Sequence, residues 1–310
     1  MTHTDDTQRD YRQHTGLDAN LERETRRLLE LAVWEDNDKR GDLTSAALVR
    51  DASAGRAHVT ARQAGVVAGG LLAPLVLEAV DPRLAWEQLR ADGEAVAPGE
   101  AIGVLTGPVR EMLTAERLLL NLMGRLCGIA SLTARYVEAV EGTGAKIYDT
   151  RKTTLGWRYL EKYAVHCGGA RNHRSGLYDA VLIKDNHLAF TGEKGLTPAD
   201  AVRRAKEYVR QYADASGNLP LIEVEVDSLE QLKSVLTAEP DIVLLDNMPP
   251  ETMREAVAIR RAAGSGAQLE ASGGINLETV RAAALSGVDR VSVGALTHSA
   301  ISLDIGLDWN

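Results

Sequence analysis

The chain has 310 residues, of which 45% are apolar and 25% charged, a balance typical of globular proteins with a substantial core. Its formal net charge of −9 disfavours nucleic acid or an anionic membrane surface as the main partner. No apolar run approaches the roughly eighteen residues of a membrane-spanning helix, so no membrane partner is expected. Two cysteines and a polar N-terminus without an apolar leader argue against a disulfide framework and favour a cytoplasmic location.

The first half of the chain mixes helical and strand-like patterns. Residues 1–24 are polar and predict a tail. An amphipathic pattern predicts a helix over 21–34, and β-like runs follow at 57–61 and 101–105, between glycine-containing turns. A helical stretch from Thr114 to Val140 closes this half, which therefore has α+β character.

From residue 145 onward, strand-like and helix-like segments alternate. Apolar runs predict strands at 145–149, 179–183, 221–226, 241–245, 269–272 and 290–294. Such near-continuous apolar strands are typical of a parallel sheet covered on both faces. Thr197 before Pro198, and a capping box of Ser228 with Gln231, predict the starts of two intervening helices. The alternation predicts a doubly wound sheet or a (β/α) barrel, and the absence of Gly-x-Gly-x-x-Gly after the first strand disfavours dinucleotide binding.

Chargeable, hydroxyl or glycine residues stand at the ends of these strands, and this favours the barrel. They are Arg151 with Lys152, Lys184, Glu225, Asp246, Ser272 and Gly294. In a barrel, the carboxyl ends of the strands converge on one mouth, where such folds place their chemistry. Polar turns after strands are common in any fold, but six in succession are harder to dismiss.

The last two strands each end in a glycine turn. Ser272, Gly273 and Gly274 form the first turn, and Val293, Gly294 and Ala295 form the second. Glycine lets backbone N–H groups approach an anion closely, and barrels often bind phosphate at their last two strands. The pair of turns therefore predicts a phosphate site, to which His298 would contribute; the alternative is a pair of turns without a ligand.

The segment from Arg151 to His187 contains seven lysines and arginines but three acidic residues. Basic groups at a barrel mouth in an acidic protein indicate a small, multiply anionic substrate, and arginine can bond both oxygens of a carboxylate or phosphate. Arg158 and Lys162, four apart on a predicted helix, are instead compatible with a solvated basic face. Glu225 and Asp246 end neighbouring strands, where they would hold a divalent cation, bind sugar hydroxyls or stabilise developing positive charge.

Several blocks of the sequence resemble the quinolinate phosphoribosyltransferase family, the decarboxylating nicotinate-nucleotide pyrophosphorylases. The most specific are Asp-Thr-Arg-Lys-Thr-Thr at 149–154 and Gly-Gly-Ala-Arg-Asn-His-Arg at 168–174. The resemblance runs from about residue 25 to the C-terminus. It implies an N-terminal α/β sandwich domain with a connecting helix over 25–140 and a partly open (β/α) barrel over 141–296. A segment over 297–310 would return toward the N-terminal domain.

The resemblance also implies roles for individual residues. Those expected to line the sites for quinolinate and phosphoribosyl pyrophosphate are Thr150, Arg151, Lys152, His173, Arg174, Lys184, Glu225 and Asp246, with Lys152, Glu225 and Asp246 taken as catalytic. The phosphate cradle would comprise Ser272, Gly273, Gly274, Val293, Gly294, Ala295 and His298. Glu225 and Asp246 match the acids near Mg²⁺, directly or through the substrate. Arg117 matches an arginine donated across a homodimer interface, with larger assemblies left open.

The implied reaction transfers a phosphoribosyl group to quinolinate and releases pyrophosphate and carbon dioxide, a step of de novo NAD biosynthesis. A same-fold transferase with another acceptor is a close alternative. A barrel aldolase that uses Lys184 as a Schiff-base amine would leave the arginines poorly explained. A phosphometabolite-binding protein would need the glycine cradle but would leave Lys184, Glu225 and Asp246 without a shared task. The family usually has Pro where Leu155 stands and Ser where Cys127 stands, and neither position supplies an expected ligand group.

Overall fold

The computed structural model describes residues 9–190, 196–213, 217 and 219–309. The described chain forms two compact units, each made of segments distant in sequence. Unit 1 draws its described residues from 1–13, 136–151 and 171–294, and unit 2 draws them from 14–135, 152–170 and 295–310. Residues 1–8 of the predicted tail lie outside the described residues.

The secondary-structure elements follow the sequence patterns closely. The helices are α1 (Ala19–Asn37), α2 (Leu43–Leu48), α3 (Ala73–Val80), α4 (Val109–Ala139), α5 (Arg158–Cys167), α6 (Asp185–Ala189), α7 (Pro198–Val209), α8 (Leu229–Leu236), α9 (Pro250–Ala262), α10 (Val280–Ala284) and α11 (Ala295–His298). The strands are β1 (Ala54–Ala61), β2 (Gly65–Val66), β3 (Ala85–Gln88), β4 (Ala95–Val96), β5 (Ala101–Pro108), β6 (Lys146–Tyr148), β7 (Val181–Ile183), β8 (Ile222–Val226), β9 (Ile242–Asp246), β10 (Gln268–Ser272), β11 (Arg290–Ser292) and β12 (Ile305–Trp309).

Unit 1 is built on a six-stranded parallel sheet with the order β6-β11-β10-β9-β8-β7. From β7 to β11 the chain steps steadily in one direction, and β6 lies beyond β11. A doubly wound sheet would reverse direction, whereas this order is that of a barrel left open between its first two strands, β6 and β7. On the outer side of β6, Tyr148 forms a parallel bridge with Arg171. The predicted α/β class with a partly open barrel is confirmed.

Unit 2 contains a separate antiparallel sheet with the order β12-β1-β5-β3, and a small sheet of β2 and β4. The C-terminal strand therefore joins the N-terminal one, with Ala61 opposite Ile305. The chain segment before β12 crosses α4 closely, because a Cβ on Gly128 would lie 2.1 Å from the carbonyl oxygen of Ile301. Gly124 accepts a hydrogen bond from the Leu303 N–H (2.9 Å). These helix glycines permit close packing.

Helix starts follow the expected chemistry, with one difference. Thr197 caps α7 ahead of Pro198, as predicted. At α8 the Ser228 hydroxyl accepts the Gln231 N–H, but the Gln231 side chain accepts from the Asp227 N–H. The reciprocal half of the predicted capping box is therefore shifted by one residue.

Two expectations about polar segments differ from the structure. Lys162 is fully buried, so the interpretation of Arg158 and Lys162 as a solvated basic face is wrong for Lys162. The reason is that six consecutive residues of α5, from Leu160 to Val165, are buried, so the helix is covered on all sides over more than one and a half turns. The described end of the polar tail is also packed: Tyr11 is 5% exposed and belongs to unit 1. Among the described residues, no helix is long and apolar enough to cross a membrane.

Candidate functional site

The carboxyl edge of the parallel sheet carries most of the predicted site residues of unit 1. Glu225 is the penultimate residue of β8, Asp246 ends β9, and Ser272 ends β10 directly opposite Asp246 in the register. Glu225 is paired with Leu244, two residues before Asp246, so the two carboxylates project from the same face of the sheet. The sheet register therefore brings these strand-end groups to one edge.

Lys184, the first residue after β7, forms an ion pair with Glu225 through its Nζ and the Oε2 atom. The Glu225 side chain is mostly enclosed, at 13% exposure, while the Lys184 side chain is 42% exposed. A Schiff-base enzyme needs a free amine in a desolvated pocket. Lys184 instead serves as an ion-pair donor with access to solvent, which disfavours the aldolase interpretation.

The pair Glu225 and Asp246 has the donor set that a magnesium ion prefers. Asp246 accepts a hydrogen bond from the Asn247 side-chain amide (3.0 Å), and Asn247 adopts a left-handed backbone with φ of 52°. Magnesium is usually bound through one or two carboxylates together with substrate phosphates. Two strand-end carboxylates therefore fit a metal that enters with a phosphorylated substrate.

The glycine turn after β10 leaves an opening that a side chain would fill. Gly273 and Gly274 have φ values of 89° and 64°, a region that non-glycine residues rarely adopt. A Cβ on Gly273 would lie 2.2 Å from Asn247 Oδ1, whereas one on Gly274 would meet nothing within 4 Å. The turn thus presents bare backbone at the sheet edge, as an anion cradle requires.

The second glycine turn, Val293 to Ala295, offers fewer free backbone N–H groups to a phosphate than the sequence suggested. The Val293 N–H donates to the Tyr148 carbonyl (2.9 Å) and therefore extends the pairing of β11 with β6. Because the Val293 N–H is used in strand pairing, it is not available to bind a phosphate. The helices after both turns have five and four residues, so any helix-dipole contribution to anion binding is small.

Arg151 and Arg174 form the most direct indication of an anion site. They stand equally far beyond the bridged residues Tyr148 and Arg171, at the same edge of the sheet. The buried Nε of each arginine has no hydrogen-bond partner among the described residues. Burial, with the neighbouring Arg151 charge, holds the pKa of Arg174 below its usual value. Buried Nε donors without a partner are stabilised by an anion that bonds both arginines.

A buried polar cluster of unit 1 holds His173, which the sequence assigned to the substrate. His173 Nε2 lies 3.0 Å from Glu223 Oε2 and 3.6 Å from Glu270 Oε1, and its Nδ1 accepts the Arg174 N–H (2.8 Å). The His173 N–H donates to Asp149 (2.8 Å). Both ring nitrogens thus have protein partners, so His173 supports the site from within the barrel.

The two glutamates of this cluster have opposite electrostatic environments. Burial alone would raise the pKa of Glu223, but His173, the Tyr11 hydroxyl and the Arg290 charge outweigh it and hold the pKa low. Burial, followed by the Glu223 charge, raises the pKa of Glu270. His173, Glu223 and Glu270 are close enough to share a metal ion. However, the hydrogen bond from His173 to Glu223 and the Arg290 contact to Glu270 (2.8 Å) already occupy these groups.

Other predicted site residues belong to unit 2. Arg117 lies on α4 with a 71% exposed side chain, 3.4 Å from Glu116. Lys152 and Ala295 directly follow the unit 1 residues Arg151 and Gly294 in the chain. Thr150, in contrast, lies in unit 1 between Asp149 and Arg151 and is partly buried. His298 is exposed and hydrogen-bonds through Nδ1 to the Ser299 hydroxyl (2.7 Å).

Sequence reasoning missed the carboxylate that anchors the Thr-Thr loop. Glu161 is fully buried, pairs with Arg125 (2.8 Å) and accepts hydrogen bonds from both the N–H and the hydroxyl of Thr154. Glu161 thereby fixes the loop that follows Lys152. The available signal was an acidic residue on an otherwise apolar face of α5. The same signal, a glutamate inside an apolar strand, marks Glu223 and Glu270.

The strand order and the edge of basic, acidic and glycine residues define an α/β-barrel protein whose site suits a polyanionic small molecule. Models of the quinolinate phosphoribosyl transferase N-terminal and C-terminal domains match residues 42–127 and 129–308. The chain belongs to this family.

Three proteins similar to this chain carry the name nicotinate-nucleotide pyrophosphorylase. The nicotinate-nucleotide pyrophosphorylase [carboxylating] of Mycobacterium leprae is 43% identical over 89% of this chain and 94% of its own length. The probable nicotinate-nucleotide pyrophosphorylase [carboxylating] of Bacillus subtilis is 40% identical over 86% of this chain and 88% of its own. The structure of the nicotinate-nucleotide pyrophosphorylase from Francisella tularensis superposes with a TM-score of 0.85 at 35% identity, covering 97% of this chain and all of that one.

Proposed function

We propose that this protein transfers the phosphoribosyl group of phosphoribosyl pyrophosphate to quinolinate, with decarboxylation, to give nicotinate mononucleotide, pyrophosphate and carbon dioxide. The observation that carries the proposal is the pair Arg151 and Arg174, whose buried Nε atoms lack partners among the described residues at an edge that also holds Glu225 and Asp246. Family membership supports the choice of a pyridine dicarboxylate as acceptor. The reaction is a step of de novo NAD biosynthesis.

Binding of quinolinate depends on planar guanidinium groups. Arg151 and Arg174 bond the ring carboxylates, because each arginine presents parallel N–H donors to two oxygens. His173 holds its neighbour Arg174 through the hydrogen bond that its Nδ1 accepts from the Arg174 N–H. Fixing the dicarboxylate in one pose turns the ring nitrogen toward the ribose and lowers the entropic part of the barrier.

Phosphoribosyl transfer then proceeds by displacement at the anomeric carbon. The bond from this carbon to pyrophosphate breaks as the pyridine nitrogen attacks from the opposite face. The carboxylates of Glu225 and Asp246 stabilise the positive charge that develops on the ribose. Lys184 stays paired with Glu225 and orients that carboxylate. Lys152 neutralises charge on the departing pyrophosphate, and backbone N–H groups of the Gly273–Gly274 turn donate to the 5-phosphate.

Magnesium fits the carboxylate pair Glu225 and Asp246, where it would offset the negative charge of the pyrophosphate. The 2-carboxylate of the bound nucleotide is lost last. The carbon–carbon bond breaks, its electron pair remains on the ring carbon beside the cationic nitrogen, and a proton then replaces carbon dioxide there.

A homodimer completes the proposal, with Arg117 of one subunit serving the site of the other. Two features of unit 2 support it. The Arg117 side chain is 71% exposed and lies 3.4 Å from the carboxylate of the adjacent Glu116. Large apolar side chains on α1 and α2 are also exposed, with Leu31 at 63%, Trp34 at 64% and Leu48 at 79%. Large apolar side chains exposed on two helices are compatible with a subunit interface. Both cysteines are free thiols, in keeping with the reducing cytoplasm that we propose as the location.

The acceptor assignment is tested with purified protein, phosphoribosyl pyrophosphate, Mg²⁺ and a panel of pyridine carboxylates. Nicotinate mononucleotide should form from quinolinate and not from nicotinate. Arg174→Lys keeps the positive charge but loses the planar pair of N–H donors that bonds both oxygens of a carboxylate. The KM for quinolinate should therefore rise about tenfold or more. The matched control is Arg203→Lys on α7, where the arginine pairs with Asp200 at the surface. Turnover of another acceptor in place of quinolinate would identify a different same-fold transferase.

The proposal that Arg117 serves the site of the other subunit is tested by mixing two inactive variants. Arg117→Ala should abolish turnover and leave the subunit folded, and Lys184→Ala should do the same. After mixing and exchange of subunits, activity should return toward about one quarter of the wild-type level, because one site in each mixed dimer is intact. No recovery from a mixture that has exchanged, or near-normal activity of Arg117→Ala alone, would contradict the shared site.

A further inference from the structure

The N-terminal segment Arg9–Gln13 is an integral part of unit 1. Asp10 accepts hydrogen bonds from the Tyr148 hydroxyl (2.8 Å), Arg171 Nη1 (2.8 Å) and Arg290 Nη1 (3.0 Å). The Gln13 side chain both donates to the Asn172 carbonyl (3.1 Å) and accepts the Asn172 N–H (2.7 Å). The segment is thereby bonded to the stretch that carries His173 and Arg174. It lies outside the range that the family models match.

Tyr11 makes the central contact of this segment. Its ring stacks on the His173 imidazole with centroids 4.5 Å apart and planes inclined by 25°. Its hydroxyl donates to Glu223 Oε2, the same oxygen that lies 3.0 Å from His173 Nε2. Burial raises the pKa of Tyr11 well above its usual value, so the hydroxyl remains a donor throughout the working pH range. Tyr11 therefore restrains His173 both by its ring face and through the shared carboxylate.

The restraint on His173 passes directly to a substrate-facing arginine. His173 Nδ1 accepts the N–H of Arg174, and the Asp149 carboxylate accepts the N–H of His173. The orientation of the imidazole is thus coupled to the backbone at Arg174. Since the Arg174 guanidinium is buried, with one Nη1 bond to the Ala180 carbonyl (3.0 Å), it has little freedom to correct a shifted backbone.

We propose that Tyr11 is a positioning residue for the acceptor substrate: it fixes the His173 ring and, through it, the guanidinium of Arg174 that receives the pyridine dicarboxylate. This inference rests on the proposed function. It adds a residue of the N-terminal segment to the barrel residues that hold the acceptor. The donor substrate, held by the glycine turn and the strand-end carboxylates, does not depend on Tyr11.

The test compares Tyr11→Phe with wild type, measuring KM for each substrate separately. Phenylalanine keeps the stacked ring and removes the hydroxyl. Loss of one buried hydrogen bond to a carboxylate should raise the KM for quinolinate about tenfold, with the KM for phosphoribosyl pyrophosphate within about twofold. Tyr11→Ala, which also removes the stacking, should raise the quinolinate KM further.

Tyr163→Phe is the matched control. Tyr163 also donates from a buried hydroxyl to a carboxylate, Asp92 (2.6 Å), but in unit 2. It should lose comparable stability and keep both KM values, so that a general structural effect is separated from positioning. Equal quinolinate KM values for wild type and Tyr11→Phe, or equal rises for both substrates, would overturn the assignment while leaving the proposed function intact. An inactive wild-type protein would overturn both.

A second variant keeps the test decisive if Tyr11→Phe does not fold. Asp10→Asn weakens the bonds of the same segment to Arg171 and Arg290 without touching the His173 ring. It should raise the quinolinate KM in the same selective way, by a smaller factor. An unchanged KM in Asp10→Asn would overturn the role of the segment.

Discussion

The buried arginine Arg290 offers a quantitative test of how unit 1 is held together. Arg290 is fully buried, and its guanidinium lies 2.8 Å from Glu270 Oε2, 3.0 Å from Asp10 Oδ1 and 3.6 Å above the Tyr148 ring centre. Arg290→Met keeps most of the aliphatic volume but leaves Glu270 without its cation and Asp10 with Arg171 alone. Removing one partner of a buried ion pair typically costs about 3–5 kcal/mol.

The assay is urea unfolding followed by far-UV circular dichroism at fixed protein concentration. Arg290→Met should lower the free energy of unfolding by about 3–5 kcal/mol, and the double variant with Glu270→Gln should recover part of the loss because one stranded charge is gone. A loss below about 1 kcal/mol, the range of a surface pair, would refute the buried-pair reasoning.

The same variant has a defined pH dependence. Burial already raises the pKa of Glu270, and the Arg290 charge opposes that rise. Without Arg290 the folded-state pKa rises further above the unfolded one, so the penalty grows as pH rises through the folded value and shrinks as pH falls. The destabilisation should therefore be smaller at about pH 5 than at about pH 8. An equal loss at both would contradict this assignment.

Two further predictions concern the glycine turn and the thiols. Gly273→Ala adds a Cβ 2.2 Å from Asn247 Oδ1 at φ of 89°, so the KM for phosphoribosyl pyrophosphate should rise about tenfold. The control Gly264→Ala, at φ of 62° in open space, should leave this KM unchanged. Equal KM values for the two variants would contradict a phosphate-binding role of the Gly273 turn. Burial raises the pKa of the buried Cys127 and of the partly exposed Cys167 to about 12, so iodoacetamide at about pH 8 should label neither thiol until urea is added. Rapid labelling of either thiol in the folded protein would contradict the raised pKa values.

The strands of the barrel were predictable because their pattern is local. A parallel strand covered on both faces is a short apolar run, and the runs before Glu225 and Asp246 carry that pattern without help from distant residues. Their meeting at one edge follows from the parallel register. The pairing of Lys184 with Glu225 did not follow, because it depends on side-chain geometry between neighbouring strands.

The buried cluster shows why other parts could not be predicted. Tyr11 and Glu223 are 212 positions apart in the chain, and no periodicity links a polar N-terminal segment to a strand interior. Likewise, the burial of Lys162 depends on the elements packed around α5, and the spacing of residues within α5 does not reveal them. The individual substrate-binding roles, including that of Arg117, remain predictions.

In the proposed reaction, quinolinate loses its 2-carboxyl group in the same turnover that forms the nucleotide. The most direct measurement uses quinolinate labelled with carbon-13 in that carboxyl group and follows labelled carbon dioxide and nicotinate mononucleotide together. One labelled carbon dioxide should form for each nucleotide, and both products should be absent when phosphoribosyl pyrophosphate is omitted. Nucleotide that keeps the label, or labelled carbon dioxide without nucleotide, would contradict it.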